Sequence, residues 1–88
     1  MRQIIFQKAF DEAVEELGGY RHLDRAIDPV LDGLSRNPYV FHYIETEFTK
    51  FRYVITKPIE ELPSYAIIFA ITPDGDITLE DILENLNY

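Results

Sequence analysis

Tyr65-Ala66-Ile67-Ile68-Phe69-Ala70-Ile71-Thr72, running straight into Pro73-Asp74-Gly75-Asp76, is the stretch on which the fold turns. Its first eight residues carry no charge and are apolar at both parities. A half-buried strand alternates and a helix repeats every three to four residues, but this run does neither. It reads as a strand covered on both faces, in the middle of a sheet. Thr72-Pro73-Asp74-Gly75 is a strong hairpin turn, because proline presets φ at the second position and glycine accepts the left-handed one. Asp76 to Leu79 then returns as the next strand.

Upstream of the central run, Pro58 to Pro63 is a polar loop, with Glu60 and Glu61 as solvated turn residues. Lys50 to Lys57 alternates: Phe51, Tyr53 and Ile55 fall on one side, and Lys50, Arg52, Val54 and Thr56 on the other. The polar set is expected on the solvated side. Tyr39 to Thr46 is rich in aromatic and β-branched residues and reads as another strand, joined through a turn at Glu45 to Thr49.

The first 37 residues have a different period. After a short strand at Arg2 to Phe6, the stripe Phe6, Phe10, Val14 and Leu17 predicts a helix that ends at Gly18-Gly19. A second stripe is formed by Leu23, Ala26, Ile27, Val30, Leu31 and Leu34. Pro29 lies inside it, so either the helix kinks there or Asp28 caps a new helix with Pro29 at its first position. Asn37-Pro38 closes this segment. At the other end of the chain, Leu79, Ile82, Leu83 and Leu86 fit a short helix from about residue 80, with Thr78 and Asp81 placed like a capping box. The order is β-α-α-β-β-β with a short C-terminal helix. This is an α+β fold in which an N-terminal strand and a helical hairpin pack on a small antiparallel β-sheet, as one domain over residues 1–88.

Composition narrows the function classes. The chain is 47% hydrophobic, with six Phe and six Tyr, which excludes a disordered segment. No stretch approaches the roughly 18 apolar residues of a membrane span, and the N-terminus is too polar for a secretory signal. With no cysteine, disulfides, thiolate metal sites and thiol nucleophiles are excluded. A cytoplasmic location fits both observations. The net charge is −8, divided as −2 over residues 1–44 and −6 over residues 45–88. Such a field repels free nucleic acid and suits a basic protein partner.

Chemistry-bearing motifs are sparse. His22 and His42 lie in different elements, and neither has ligand spacing, so no metal or other cofactor is expected. Ser35 and Ser64 lack the frame of a nucleophile elbow, and Gly18-Gly19 lacks the residues of a phosphate loop. The one suggestive pair is Lys50 and Arg52 on one side of their strand. Two cations on an exposed face can hold a phosphate.

The order of elements resembles the RelE/ParE superfamily of small bacterial toxins from toxin–antitoxin, or plasmid-stabilisation, modules. The resemblance is carried by Ile4-Ile5-Phe6, Phe10, Ala13 and Leu17, and by Leu34 with Asn37-Pro38. Phe51-Arg52-Tyr53, the run Ser64 to Ile71, and Asp74-Gly75-Asp76-Ile77-Thr78-Leu79 complete it. It implies a domain that cuts ribosome-bound mRNA without a metal or inhibits DNA gyrase, silenced by an antitoxin wrapped around it. In the RNA-cutting branch it implies catalytic roles for Arg52 and its neighbour Lys50, with Tyr88 matching a C-terminal tyrosine. An antitoxin partner further implies an apolar groove beside the helical hairpin.

The family's last strand ordinarily ends in a base. Here residues 74–88 hold none, against Asp74, Asp76, Glu80, Asp81 and Glu84. The reading is therefore a toxin-like component that binds a protein target, with or without catalysis. The alternatives are a ribosome-dependent endoribonuclease and an interaction module unrelated to toxins. The sequence leaves enzymatic activity and the oligomeric state open, a homo-oligomer included.

Overall fold

A computed structural model describes residues 2–45 and 50–85. The elements are β1 (Ile4–Phe6), α1 (Lys8–Glu16), α2 (Tyr20–Arg36), a 3-10 turn (Pro38–Val40), β2 (His42–Glu45), β3 (Lys50–Ile55), β4 (Tyr65–Ile71) and β5 (Ile77–Glu84). They form an α+β fold with a five-stranded mixed sheet in the order β1-β5-β4-β3-β2. β4 has a strand on each side, as its apolar run requires. β2 to β5 form an antiparallel meander, and β1 joins the edge of β5 in parallel. The antiparallel sheet under the helical hairpin is the one expected, and β1 is added to it in parallel, a pairing that no local pattern encodes.

The helical hairpin covers one face of the sheet. Phe10 and Val14 of α1 and Leu23, Ala26, Ile27, Val30 and Leu34 of α2 meet Ile67, Phe69, Ile77, Leu79 and Ile82 in one core. Gly18 and Gly19, at φ +121° and +89°, turn the chain between the helices. A Cβ on Gly18 would stand 2.8 Å from the His22 ring, so this position combines a left-handed backbone with a close approach. Pro29 lies within a continuous α2 and does not open a new helix. Asn37 ends α2, and its side chain accepts from Tyr39 N at 3.2 Å to start the 3-10 turn. This turn occupies the first residues expected to be strand. Gly75, at φ +89°, and the bond from Gly75 N to Thr72 O confirm the β4–β5 hairpin.

Among the described residues, the helix expected from about residue 80 is not formed. β5 continues as strand to Glu84. A bulge between Ile68 and Phe69 pairs Phe69 with Leu79 but Ile68 with Asp81, so Glu80 is an extra residue on β5. Leu79 and Ile82 thus both face the core, three residues apart. A helix-like spacing arises here from a strand with one inserted residue. Leu86 and Tyr88 lie outside the described residues.

Phe6, Phe10 and Tyr20 form an aromatic cluster with centroids 5.9–6.5 Å apart. The Tyr20 hydroxyl donates to Asp11 Oδ1 at 2.5 Å. Burial first, and the Asp11 carboxylate second, hold this phenol well above its usual range. Tyr65 shifts the same way through burial and Glu84. The folded state therefore keeps both protons more tightly than the unfolded chain. Their contribution to stability is complete below about pH 10 and is lost as pH rises through the folded values. In alkaline unfolding experiments, Tyr20→Phe is expected to lower neutral stability by about 1 kcal/mol and to flatten the loss above about pH 10. An unchanged alkaline slope would refute this.

Candidate functional site

The register fixes which side of β3 meets the helices. Arg52 pairs with Phe69 and Val54 with Ile67, and both β4 partners are core residues. Arg52 and Thr56 are consequently buried and Val54 packs on the core, while Phe51, Tyr53 and Ile55 lie on the uncovered side. This inverts the expected assignment of faces. Alternation separates the two sides of a strand but does not say which of them a helix covers.

Arg52 is 7% exposed. Its Nη1 donates to Tyr39 O at 2.9 Å and to Phe41 O at 2.8 Å, and its guanidinium carbon stands 5.6 Å from the Tyr39 ring centroid. The side chain thus ties the 3-10 turn to the sheet. Arg2 approaches the same ring at 5.8 Å and donates to Gly75 O, Ser35 O and Arg36 O. It closes the C-terminal end of α2, where unpaired carbonyls favour a cation. Both arginines are engaged with backbone carbonyls around an exposed tyrosine. Lys50 opens β3 opposite Glu45 in the ladder. Tyr88, the third residue expected at the site, lies outside the described residues. The structure therefore gives no described cluster of Arg52, Lys50 and Tyr88.

The serines are occupied elsewhere. Ser64 Oγ donates to Thr56 O at 2.6 Å, and Thr56 Oγ1 accepts from Tyr65 N at 2.9 Å, a buried polar knot at the end of β3 and β4. Ser35 lies in the last turn of α2 and not in a loop, with its hydroxyl on Asp32 O. Among the described residues, no three His, Asp or Glu side chains come together as a metal site.

A largely apolar groove of about 430 Å³ lies between α2 and β3. Ala26, Pro29, Val30 and Gly33 form its helical wall; Val54 and Thr56 form its floor; Phe41 and Ile59 close its ends. The four α2 positions follow the spacing i, i+3, i+4, i+7; Ala26 and Val30 are shared with the core, and Pro29 and Gly33 widen that strip toward the groove. Small residues at 26 and 33 keep the wall low. The rim near Ile59 is fixed by a tight turn in which Ile59 and Leu62 exchange both backbone bonds. Glu60 adopts φ +50° there and grips Arg25 with two bonds of 2.8 and 3.1 Å. This ion pair holds the Glu60 carboxyl below its usual range. The periodicity of α2 reveals the strip, but only the packed sheet shows that its edge, at Pro29 and Gly33, borders a groove.

No family model matches the chain, and no curated protein or solved structure gives a significant match.

Proposed function

We propose that this chain is a toxin-like domain of the RelE/ParE type that acts by binding protein through the groove between α2 and β3, and not by cutting RNA. The observation that carries the reading is the groove itself. It is largely apolar, it lies beside the helical hairpin, and its volume of about 430 Å³ can receive apolar side chains of a partner segment. The element order supports the same reading, as does a net charge of −8, which suits a basic partner better than a polyanion. The engagement of Arg52 with two carbonyls favours a structural role over phosphate binding. An antitoxin-like segment is the natural class of occupant, and gyrase or the ribosome the class of cellular target. A cytoplasmic site of action belongs to this proposal; among the described residues, no helix is long and apolar enough to cross a membrane.

Gly33→Met provides the test. Gly33 has an ordinary helical backbone, and a Cβ there would meet only Phe41, at 3.6 Å. Methionine should raise stability by about 1 kcal/mol through helix propensity while filling the groove. Wild type and Gly33→Met would be induced in a bacterial host, reading growth and message integrity, with thermal unfolding of the purified proteins alongside. The expected result is growth arrest with intact messages, relieved by Gly33→Met although that protein is the more stable. Cut messages would overturn the reading in favour of a ribonuclease. Absence of arrest from folded wild-type protein would reduce it to an interaction module without toxic action.

A further inference from the structure

β4 carries the sequence of a strand covered on both faces, and the helical hairpin covers it on one. In an antiparallel sheet with one covered face, outward positions are ordinarily polar. Here register and alternation put Ala66, Ile68 and Ala70 of β4, Tyr53 and Ile55 of β3, and Leu83 of β5 on the side away from the helices. None of the six is buried, and Ile55 is 41% and Leu83 47% exposed. In the row Ile55–Ala66–Leu83 a small residue lies between two large ones, which leaves a shallow trough along β4.

The charge on this side has one sign. Asp81 stands opposite Ile68, and Glu80, the extra residue of the bulge, adjoins it. Among the described residues, neither acid is in an ion pair. Residues 45–88 hold three bases against nine acids. Arg52 is buried on the helix side of β3, and Lys50 shares its parity on that strand. Lys57 lies beyond the end of β3, in the wall of the groove. Among the described residues, the register therefore puts no Lys or Arg at an outward position of any strand.

We propose that this face docks a basic amphipathic helix of a partner protein. Anionic lipid and nucleic acid have the sign of the face itself and are repelled. A second copy brings the same acids and no cation to meet them. A strand adds to a sheet at its edge, where backbone groups are free. A segment lying across a face must satisfy its own N–H and C=O groups, and a helix does so. A helix here also gives β4 its second apolar neighbour, with helices on both faces of one sheet. The dimensions agree. Ala66 to Ala70 extends about 13 Å along β4, and a helical stripe at i, i+3, i+7 extends about 10.5 Å. Such a stripe lies along β4 between Ile55 and Leu83, and Lys or Arg on its flank lies over Asp81 and Glu80. The acids then fix which way the helix is rolled on the face. The face and the groove meet at Ile55, which lines both, whereas Leu83 and Asp81 are two strands away on β5.

Fluorescence anisotropy of the full chain with a labelled helical peptide of about five turns tests this. The peptide carries a Leu/Ala stripe flanked by Lys, and a second peptide has Glu at every Lys. The variants are Leu83→Gln and Asp81→Asn on the face, Glu16→Gln on the helical layer and Gly33→Met in the groove, with circular dichroism to confirm folding. Leu83 is exposed enough that its substitution should not threaten the fold, and asparagine keeps the Asp81 acceptor for Ile82 N. The expected result is a micromolar dissociation constant for the Lys peptide and one about tenfold or more weaker for the Glu peptide. Leu83→Gln should weaken the Lys peptide about tenfold and Asp81→Asn about threefold, with Glu16→Gln and Gly33→Met unchanged. No binding of the Lys peptide at about 1 mM, equal binding of the two peptides, or indifference to Leu83→Gln would overturn the proposal. Binding lost in Gly33→Met would place the peptide in the groove and overturn it too. Sedimentation of the chain alone closes the remaining case: a dimer dispersed by Leu83→Gln would make a second copy the occupant and overturn the proposal.

Discussion

Replacing Arg52 by alanine is expected to lower the unfolding free energy by about 3 kcal/mol, measured by urea denaturation. Two effects add. The Tyr39 and Phe41 carbonyls lose a charged donor at 2.9 and 2.8 Å, and each charge-assisted bond is worth about 1.5–3 kcal/mol. The Tyr39 ring also loses a guanidinium lying against it. The two bonds share one nitrogen, so their values do not sum in full. For a chain of this size, with a total stability of about 4–13 kcal/mol, the loss is a large fraction of what holds the fold. Arg52→Lys keeps the charge and one donor but not the planar fork, and should cost about half as much. A change below about 1 kcal/mol in the alanine variant would refute the role of a buried tie. Loss of a cellular effect in Arg52→Ala would report on folding before it reported on chemistry. Gly33→Met, which is expected to be stabilising, is therefore the sounder probe of function.

The parts of the fold that were legible in the sequence are those with local causes. The Gly18-Gly19 break, the stripes of α1 and α2, and the Pro73-Asp74-Gly75 turn each arise from a few neighbouring residues, and all are present. Position within the sheet was legible for β4 because its run is apolar on both sides. The side of β3 that faces the helices was not. Phe51, Tyr53 and Ile55 are the more apolar set, and burial favours such a set, yet pairing with Phe69 and Ile67 turns Arg52 and Val54 inward. The Phe51, Tyr53 and Ile55 set lies outward, on the side the helices leave uncovered. Arg52 lies on β3, where the alternation puts it, but its engagement with the turn at residues 38–41 depends on contacts 11 and 13 residues away, which strand alternation does not report. The groove was expected from the resemblance alone; its wall follows from α2, and its floor could be known only once β3 was placed.

Two single-residue deletions in β5 should have opposite outcomes, although each shortens the strand by one and each removes the bulge. Deleting Glu80 leaves Leu79 opposite Phe69 and brings Asp81 into regular sequence opposite Ile68, with Ile82 still opposite Ile67. Every core pair survives. The expected change is within about 1 kcal/mol, arising from the lost local twist and the Asp81 Oδ1 contact with Ile82 N. Deleting Thr78 also produces a regular ladder, but Leu79 then falls opposite Ala70 on the outer face and Glu80 opposite Phe69 in the core. Exposing a fully buried leucine costs about 2–3 kcal/mol, and a carboxylate placed among Phe69, Ile77 and Ile82 adds at least as much again. That protein should be largely unfolded at neutral pH, by circular dichroism and by urea titration. Equal stability of the two variants would mean that the bulge is not where the register places it, and a terminal helix would return as the better account of the Leu79–Ile82 spacing. The contrast isolates the one residue that made a strand look like a helix.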